Sequence, residues 1–189
     1  MNPKPRIPLL SLDEAKAATA VAGIPEITAD LNIFRIWLHH PKLARWLSDL
    51  LMGLLWEGRL EARLRELMIM RLGWATASDY EWTQHWRIAR GLKVDETDLL
   101  AVRDWPAHGG FGPAERAVLA ATDETIADGA VSPATWQACV EHVSDDPQVL
   151  LELVSAIGTW RMVSGILRSL DVPLEDGVSS WPPDGRGPA

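Results

Sequence analysis

Apolar residues return every three or four positions along most of this chain, the period of helices with one buried face. The clearest stretch runs from Pro41 to about Trp56, where Leu43, Trp46, Leu47, Leu50, Leu51, Leu54 and Leu55 give a broad apolar stripe. Another runs from about Pro147 to Leu170, carrying Leu150, Leu153, Val154, Ile157, Trp160, Val163 and Leu167. Between them, Leu60–Ala75 and Ser78–Arg90 form a helical pair across a short polar break, with Gly91 expected as a left-handed C-cap. Start signals predict the remaining helices. Ser11-Leu12-Asp13-Glu14 is a capping-box pattern opening a helix to Ala22, and Thr28 can cap one through Trp37. Asp95 opens a short helix to Arg103, Pro113 one to about Asp128, and Ser132-Pro133 one to about His142. No segment shows strand alternation or an internal repeat. The pattern therefore predicts an all-α, single-domain helical bundle of about seven to nine helices over residues 11–175. Residues 1–10, with three prolines, should be an extended arm, and the turn-rich residues 176–189 a flexible tail.

Composition narrows the function. A formal net charge of −8 without a basic cluster argues against nucleic acid and against an anionic membrane surface. The single cysteine, Cys139, leaves no intramolecular disulfide and no dithiol pair. No signal-peptide pattern and no uninterrupted membrane-length apolar run is present, so a cytoplasmic protein is expected. Ten Trp against one Tyr and two Phe is unusual; Trp fills cores and also suits pockets and subunit interfaces.

Candidate chemistry concentrates in residues 60–91. Glu66 sits among Leu67, Met68, Ile69 and Met70; if buried, its pKa rises and it becomes a plausible proton carrier. If exposed, it simply pairs with Arg63 one turn away. Ser78 and Glu81 read first as a capping box, Ser-x-x-Glu at a helix start. Glu81 also lies four residues before His85, on one helical face, where a carboxylate can fix an imidazole tautomer. His85, between Trp82 and Trp86, is either a satisfied core histidine or a general acid/base. No histidines stand at ligand spacing, so neither a metal nor another cofactor is expected. Cys139 and His142, three apart, are a minor candidate pair.

The stretch from Glu66 through His85 to Ala89-Arg90-Gly91 resembles the carboxymuconolactone decarboxylase family, which includes alkylhydroperoxidase D. Redox members carry Glu-x11-Cys-x2-Cys-x3-His. Here the Glu falls on Glu66 and the His on His85, while Ser78 and Glu81 stand at the two cysteine positions. The segment Asp79-Tyr80-Glu81-Trp82-Thr83-Gln84-His85 looks like a cysteine-free branch, and Gly158-Thr159-Trp160-Arg161-Met162 is similar to the family's C-terminal end. The likeness spans about residues 30–175. It implies the alkylhydroperoxidase D-like fold, a homo-oligomer (trimer or hexamer), and a pocket lined by Glu66 and His85.

Peroxidase chemistry needs one thiol to attack and another to resolve, and Ser78 and Glu81 can do neither. The favoured expectation is thus a non-redox enzyme moving protons on a small organic acid or lactone, by decarboxylation or isomerisation. His85 would be the acid/base, oriented by Glu81, with Glu66 a second proton carrier. Tyr80, Trp82 and Ser78 would contact substrate, and Arg63 or Arg161 (Arg71 and Arg87 being alternatives) would anchor a carboxylate. The alternatives are a non-catalytic binding or assembly module and, third, a residual peroxidase working through Cys139.

Overall fold

Serine and proline side chains set where several helices begin. The computed structural model describes residues 4–188, so the first three residues of the expected arm and Ala189 of the expected tail lie outside it. Among these residues are nine α-helices and no strand: α1 (Leu12–Ala22), α2 (Asn32–Trp37), α3 (Pro41–Met52), α4 (Ala62–Ala75), α5 (Asp79–Gly91), α6 (Glu96–Ala101), α7 (Pro113–Asp128), α8 (Pro133–His142) and α9 (Pro147–Ser169). The chain is all-α, as its periodicity predicts.

The chain divides into two compact units. One takes in the chain up to Glu57 together with Ile166–Ser179; the other takes in Gly58–Gly165 together with the residues from Ser180 onward. In the first, the Ser11 capping box closes on Glu14 and Gly23 ends α1 in the left-handed region at φ 70°. The helix expected from Thr28 divides instead. A 3₁₀ turn covers Glu26–Asp30, and the Thr28 hydroxyl bonds back to the Pro25 carbonyl rather than capping α2. Helix α3 stops at Met52, and a π-helical turn continues over Gly53–Glu57. Leu43, Trp46 and Leu50 lie on its exposed face.

The second unit is centred on α4, which packs against α5 and α7, while α7 packs against α8. Leu67, Met70, Trp82, Trp86, Ala89, Val94, Leu99, Val102, Phe111 and Leu119 form a core around this contact. Gly73 makes the close approach possible, since a Cβ there would lie 3.0 Å from the Trp82 backbone nitrogen. Gly91 is not the left-handed residue expected after α5. The helix runs through it, and Lys93 takes φ 64°. Helix α6 ends at Ala101, and a 3₁₀ stretch, Val102–Ala107, replaces its expected last turn.

Helix α9 amends one sequence expectation. At 23 residues it holds a window of mean hydropathy 1.4, long and apolar enough by length and composition to cross a membrane. It serves the second unit as a core helix, burying Leu153, Ala156, Ile157, Trp160 and Val163. The residues from Ser180 onward, assigned by composition to a tail, make specific contacts. Ser180 Oγ and Trp181 N both donate to Asp79, Trp82 Nε1 donates to the Pro182 carbonyl, and Arg103 forks onto Asp184.

Candidate active site

Helices α4 and α5 meet where Gly73 admits the first turn of α5, and this contact aims Glu66 at His85. Glu66 is wholly buried, and its Oε2 lies 2.8 Å from His85 Nδ1. Its other oxygen accepts from Arg65 Nε at 3.0 Å. On the far side of the ring, Trp160 Nε1 donates to His85 Nε2 at 2.9 Å. An indole N–H can only donate, so Nε2 must offer its lone pair, and the proton sits on Nδ1, donated to Glu66. Glu81 Oε2 lies 3.6 Å from the same Nε2. All five side chains are at least nine-tenths buried.

Burial and neighbouring charge shift the two titratable groups that face each other here. Desolvation pushes Glu81 up to about 7, and the Glu66 charge adds to the rise, while a positive His85 opposes it. Burial by itself would lower His85, but the Glu66 and Glu81 carboxylates more than reverse that and raise it. Both groups are thus pushed toward their protonated forms, and at 3.6 Å their titrations are coupled. When Nε2 takes a proton, the Trp160 N–H can turn to the Glu81 carboxylate, with which it also bonds.

Several sequence expectations are corrected here. Ser78 is the N-cap of α5 by position, but its side chain makes no capping bond, and Glu81 turns inward to His85. The Ser78 hydroxyl is buried without a hydrogen-bond partner. Glu66 does not pair with Arg63, which reaches Asp98 at 2.7 Å and Glu115 instead. Arg161 is exposed and donates to the Ile126 carbonyl, Arg71 is held by Asp123 and two backbone carbonyls, and Arg87 is exposed. None of these four arginines joins the cluster. Trp82 does not wall it either: it is wholly buried in the aromatic core beside Trp74, Trp86 and Trp181. Tyr80 is buried on α5. Cys139 does not pair with His142; its thiol lies 3.7 Å from the Ala117 carbonyl, while His142 faces Glu141. Two members escaped the sequence reading. Arg65 was hidden by its neighbour Glu66, and Trp160 looked like one more apolar residue of α9.

Residues 41–124 match the Carboxymuconolactone decarboxylase family, a span just under half the chain that contains Arg65, Glu66, Glu81 and His85. This region belongs to the carboxymuconolactone decarboxylase family. Solved structures agree on the fold around it. The chain is similar to an uncharacterised peroxidase-related protein with an alkylhydroperoxidase AhpD core from Ralstonia eutropha JMP134, at 17% identity and TM-score 0.74, covering 99% of this chain and 100% of that one. A peroxidase-related protein from Silicibacter sp. TM1040 aligns at 12% identity and TM-score 0.72, over 93% and 96%. The debrominase Bmp8 aligns at 16% identity and TM-score 0.67, over 87% and 86%. Among curated proteins no sequence match was found. The family contains enzymes, and its carboxymuconolactone decarboxylase region here holds the whole Glu66–His85 pair.

Proposed function

We propose that this chain is an acid–base enzyme of the carboxymuconolactone decarboxylase family that moves a proton on a small lactone or organic acid without a thiol. The supporting observation is the buried Glu66–His85–Trp160 line with Glu81 facing Nε2. It fixes one imidazole tautomer and sets Glu81, raised to about 7 by burial, against the other ring nitrogen, where a proton can pass between them. His85 serves as the acid/base, Glu81 as its proton partner and Glu66 as the group that orients the ring. Cys139 offers little support for a peroxidase, since burial pushes its thiol up to about 11 and it lies outside the cluster.

The completeness of the bonding favours a second reading. Both ring nitrogens of His85 have partners and the ring is 5% exposed, as in a purely structural polar core. Turnover separates the two. Carboxymuconolactone and a panel of small lactones and unsaturated acids should be screened for loss of absorbance and release of carbon dioxide. The acid–base reading expects turnover that falls at least about a hundredfold in His85→Gln, the lower end of what a positioned acid/base contributes. Full activity in a folded His85→Gln protein would reject it.

A further inference from the structure

Two carboxylates flank the His85 ring, one at each nitrogen. Glu66 Oε2 lies 2.8 Å from Nδ1 and Glu81 Oε2 lies 3.6 Å from Nε2, and all three side chains are buried. A buried histidine between two carboxylates is driven toward the imidazolium, with a proton on both nitrogens. Such a ring has no lone pair and cannot act as a base. Yet Nε2 accepts from the Trp160 indole N–H at 2.9 Å, which a protonated nitrogen cannot do. A third charge in the cluster must therefore oppose the second proton.

Arg65 is the group placed to do so. It is 4% exposed, and its Nε donates to Glu66 Oε1 at 3.0 Å, the oxygen that the ring does not use. A guanidinium does not lose its proton, so this positive charge is fixed. It draws on the Glu66 carboxylate from behind and repels a second charge on the imidazole, a direction of effect that holds for His85 here. The charged groups facing the ring are Glu66 and Arg65 from α4 and Glu81 from α5 itself; α9 presents the Trp160 indole. The α7 carboxylates turned toward α4, Glu115 and Asp123, are engaged by Arg63 and Arg71. We propose that Arg65 is a positioning residue that holds the second proton off His85 and so preserves Nε2 as a base in the physiological pH range. Without its charge, the cluster takes one proton from solvent onto Nε2, and the Trp160 N–H passes to the Glu81 carboxylate. The consequence for turnover rests on the acid–base reading, but the protonation of the ring is measured without substrate.

Nitrogen NMR of the full-length protein labelled with ¹⁵N-histidine makes the test, titrated from pH 5 to pH 10. The His85 ring is identified by its absence in His85→Gln, and its shifts distinguish the two neutral tautomers from the imidazolium. The parent is expected to show the neutral Nδ1–H ring on the alkaline side. Arg65→Met, which removes the charge and keeps an unbranched side chain, should raise the midpoint of Nε2 protonation by at least about one pH unit. Arg65→Lys keeps the charge and should stay close to the parent. A merely structural role would lower the melting temperature in both variants and leave both midpoints in place. If Arg65→Met does not fold, Arg65→Gln, which keeps a donor for Glu66 without the charge, carries the same test. An unchanged or lowered midpoint in the neutral variant, an imidazolium or an Nε2–H tautomer in the parent at pH 9, or collapse of both neutral variants would overturn the proposal. A raised midpoint in a protein that turns over no lactone would count against the acid–base reading alone. An unchanged midpoint in a protein whose lactone turnover depends on His85 would count against this proposal alone.

Discussion

Two adjoining faces of α5 are both buried, yet they are closed by opposite means. Ser78, Glu81 and His85 share one face, and it is closed by charge: a carboxylate, an imidazole and an indole N–H, each placed by hydrogen bonds with Arg65 behind them. Trp82 and Trp86 lie on the next face, which is closed by shape. Their rings stack at 6.0 Å, Trp74 and Trp181 pack against Trp82, and the Arg103 guanidinium lies over Trp74 and Trp82 at 4.7 and 4.9 Å. A shape-closed face tolerates a change of chemistry at constant volume. A charge-closed face tolerates a change of volume better than a change of protonation. Only the second kind has protons to give away, which is why the candidate chemistry belongs there despite the larger aromatic mass next door.

Isosteric substitutions expose this difference most sharply. Glu66→Gln keeps the shape and removes the charge, leaving buried Arg65 without its carboxylate; it should cost about 3–5 kcal/mol, read from urea unfolding. It should also free the His85 ring, and any lactone turnover should fall with it. Trp82→Phe, on the other face, loses the indole donation to Pro182 and some ring volume. Its expected cost is about 1–2 kcal/mol, with turnover per folded molecule unchanged. A Glu66→Gln protein as stable as the parent would show that the charge-closed face is not held by charge.

The same contrast governs what was legible in the sequence. Helices α7, α8 and α9 begin where proline and capping residues put them, because those signals act within a few residues of chain. Shape-closed residues such as Leu67, Met70 and Trp86 follow from periodicity. The charged face does not. Ser-x-x-Glu is compatible both with Glu81 folding back over the helix start and with Glu81 turning inward, and only the packing of α4 at Gly73 decides between them. Glu66 and His85 each stand out by their apolar surroundings, but only the family resemblance put them in one pocket, since nineteen positions separate them. Trp160 donates from a helix seventy-five positions away, and a tryptophan in an apolar stripe carries no mark that its N–H is in use.

Glu81→Gln refines the contrast through pH. Burial holds the Glu81 pKa at about 7, above the value of an unfolded carboxyl, so the folded state keeps a proton the unfolded chain has lost. That contribution is present at low pH and disappears as pH rises through about 7. His85, raised by its carboxylate neighbours, acts in the same direction: its share is complete below the unfolded imidazole pKa and is lost as pH passes the folded one. The parent's melting temperature should therefore fall between about pH 5 and pH 8. Glu81→Gln cannot ionise, so its curve should be flatter and should cross above the parent on the alkaline side, by about 2–4 °C per kcal/mol recovered. A parallel pair of curves would place Glu81 in water.

Arg103→Lys gives the smallest effect and tests the shape-closed face from its one charged member. Lysine keeps the positive charge but loses the planar fork that grips Asp184 and the flat surface that lies over two indoles. If charge held this face, the substitution would be silent. Because contact area and geometry hold it, a loss of about 1 kcal/mol is expected, in line with a partly exposed stacked cation. High salt separates the contributions further. Screening weakens the Asp184 pair in both proteins but leaves the stacking, so the difference between Arg103→Lys and parent should persist at 1 M sodium chloride. A difference that vanishes there would make the aromatic face electrostatic after all, and would erase the distinction between the two sides of α5.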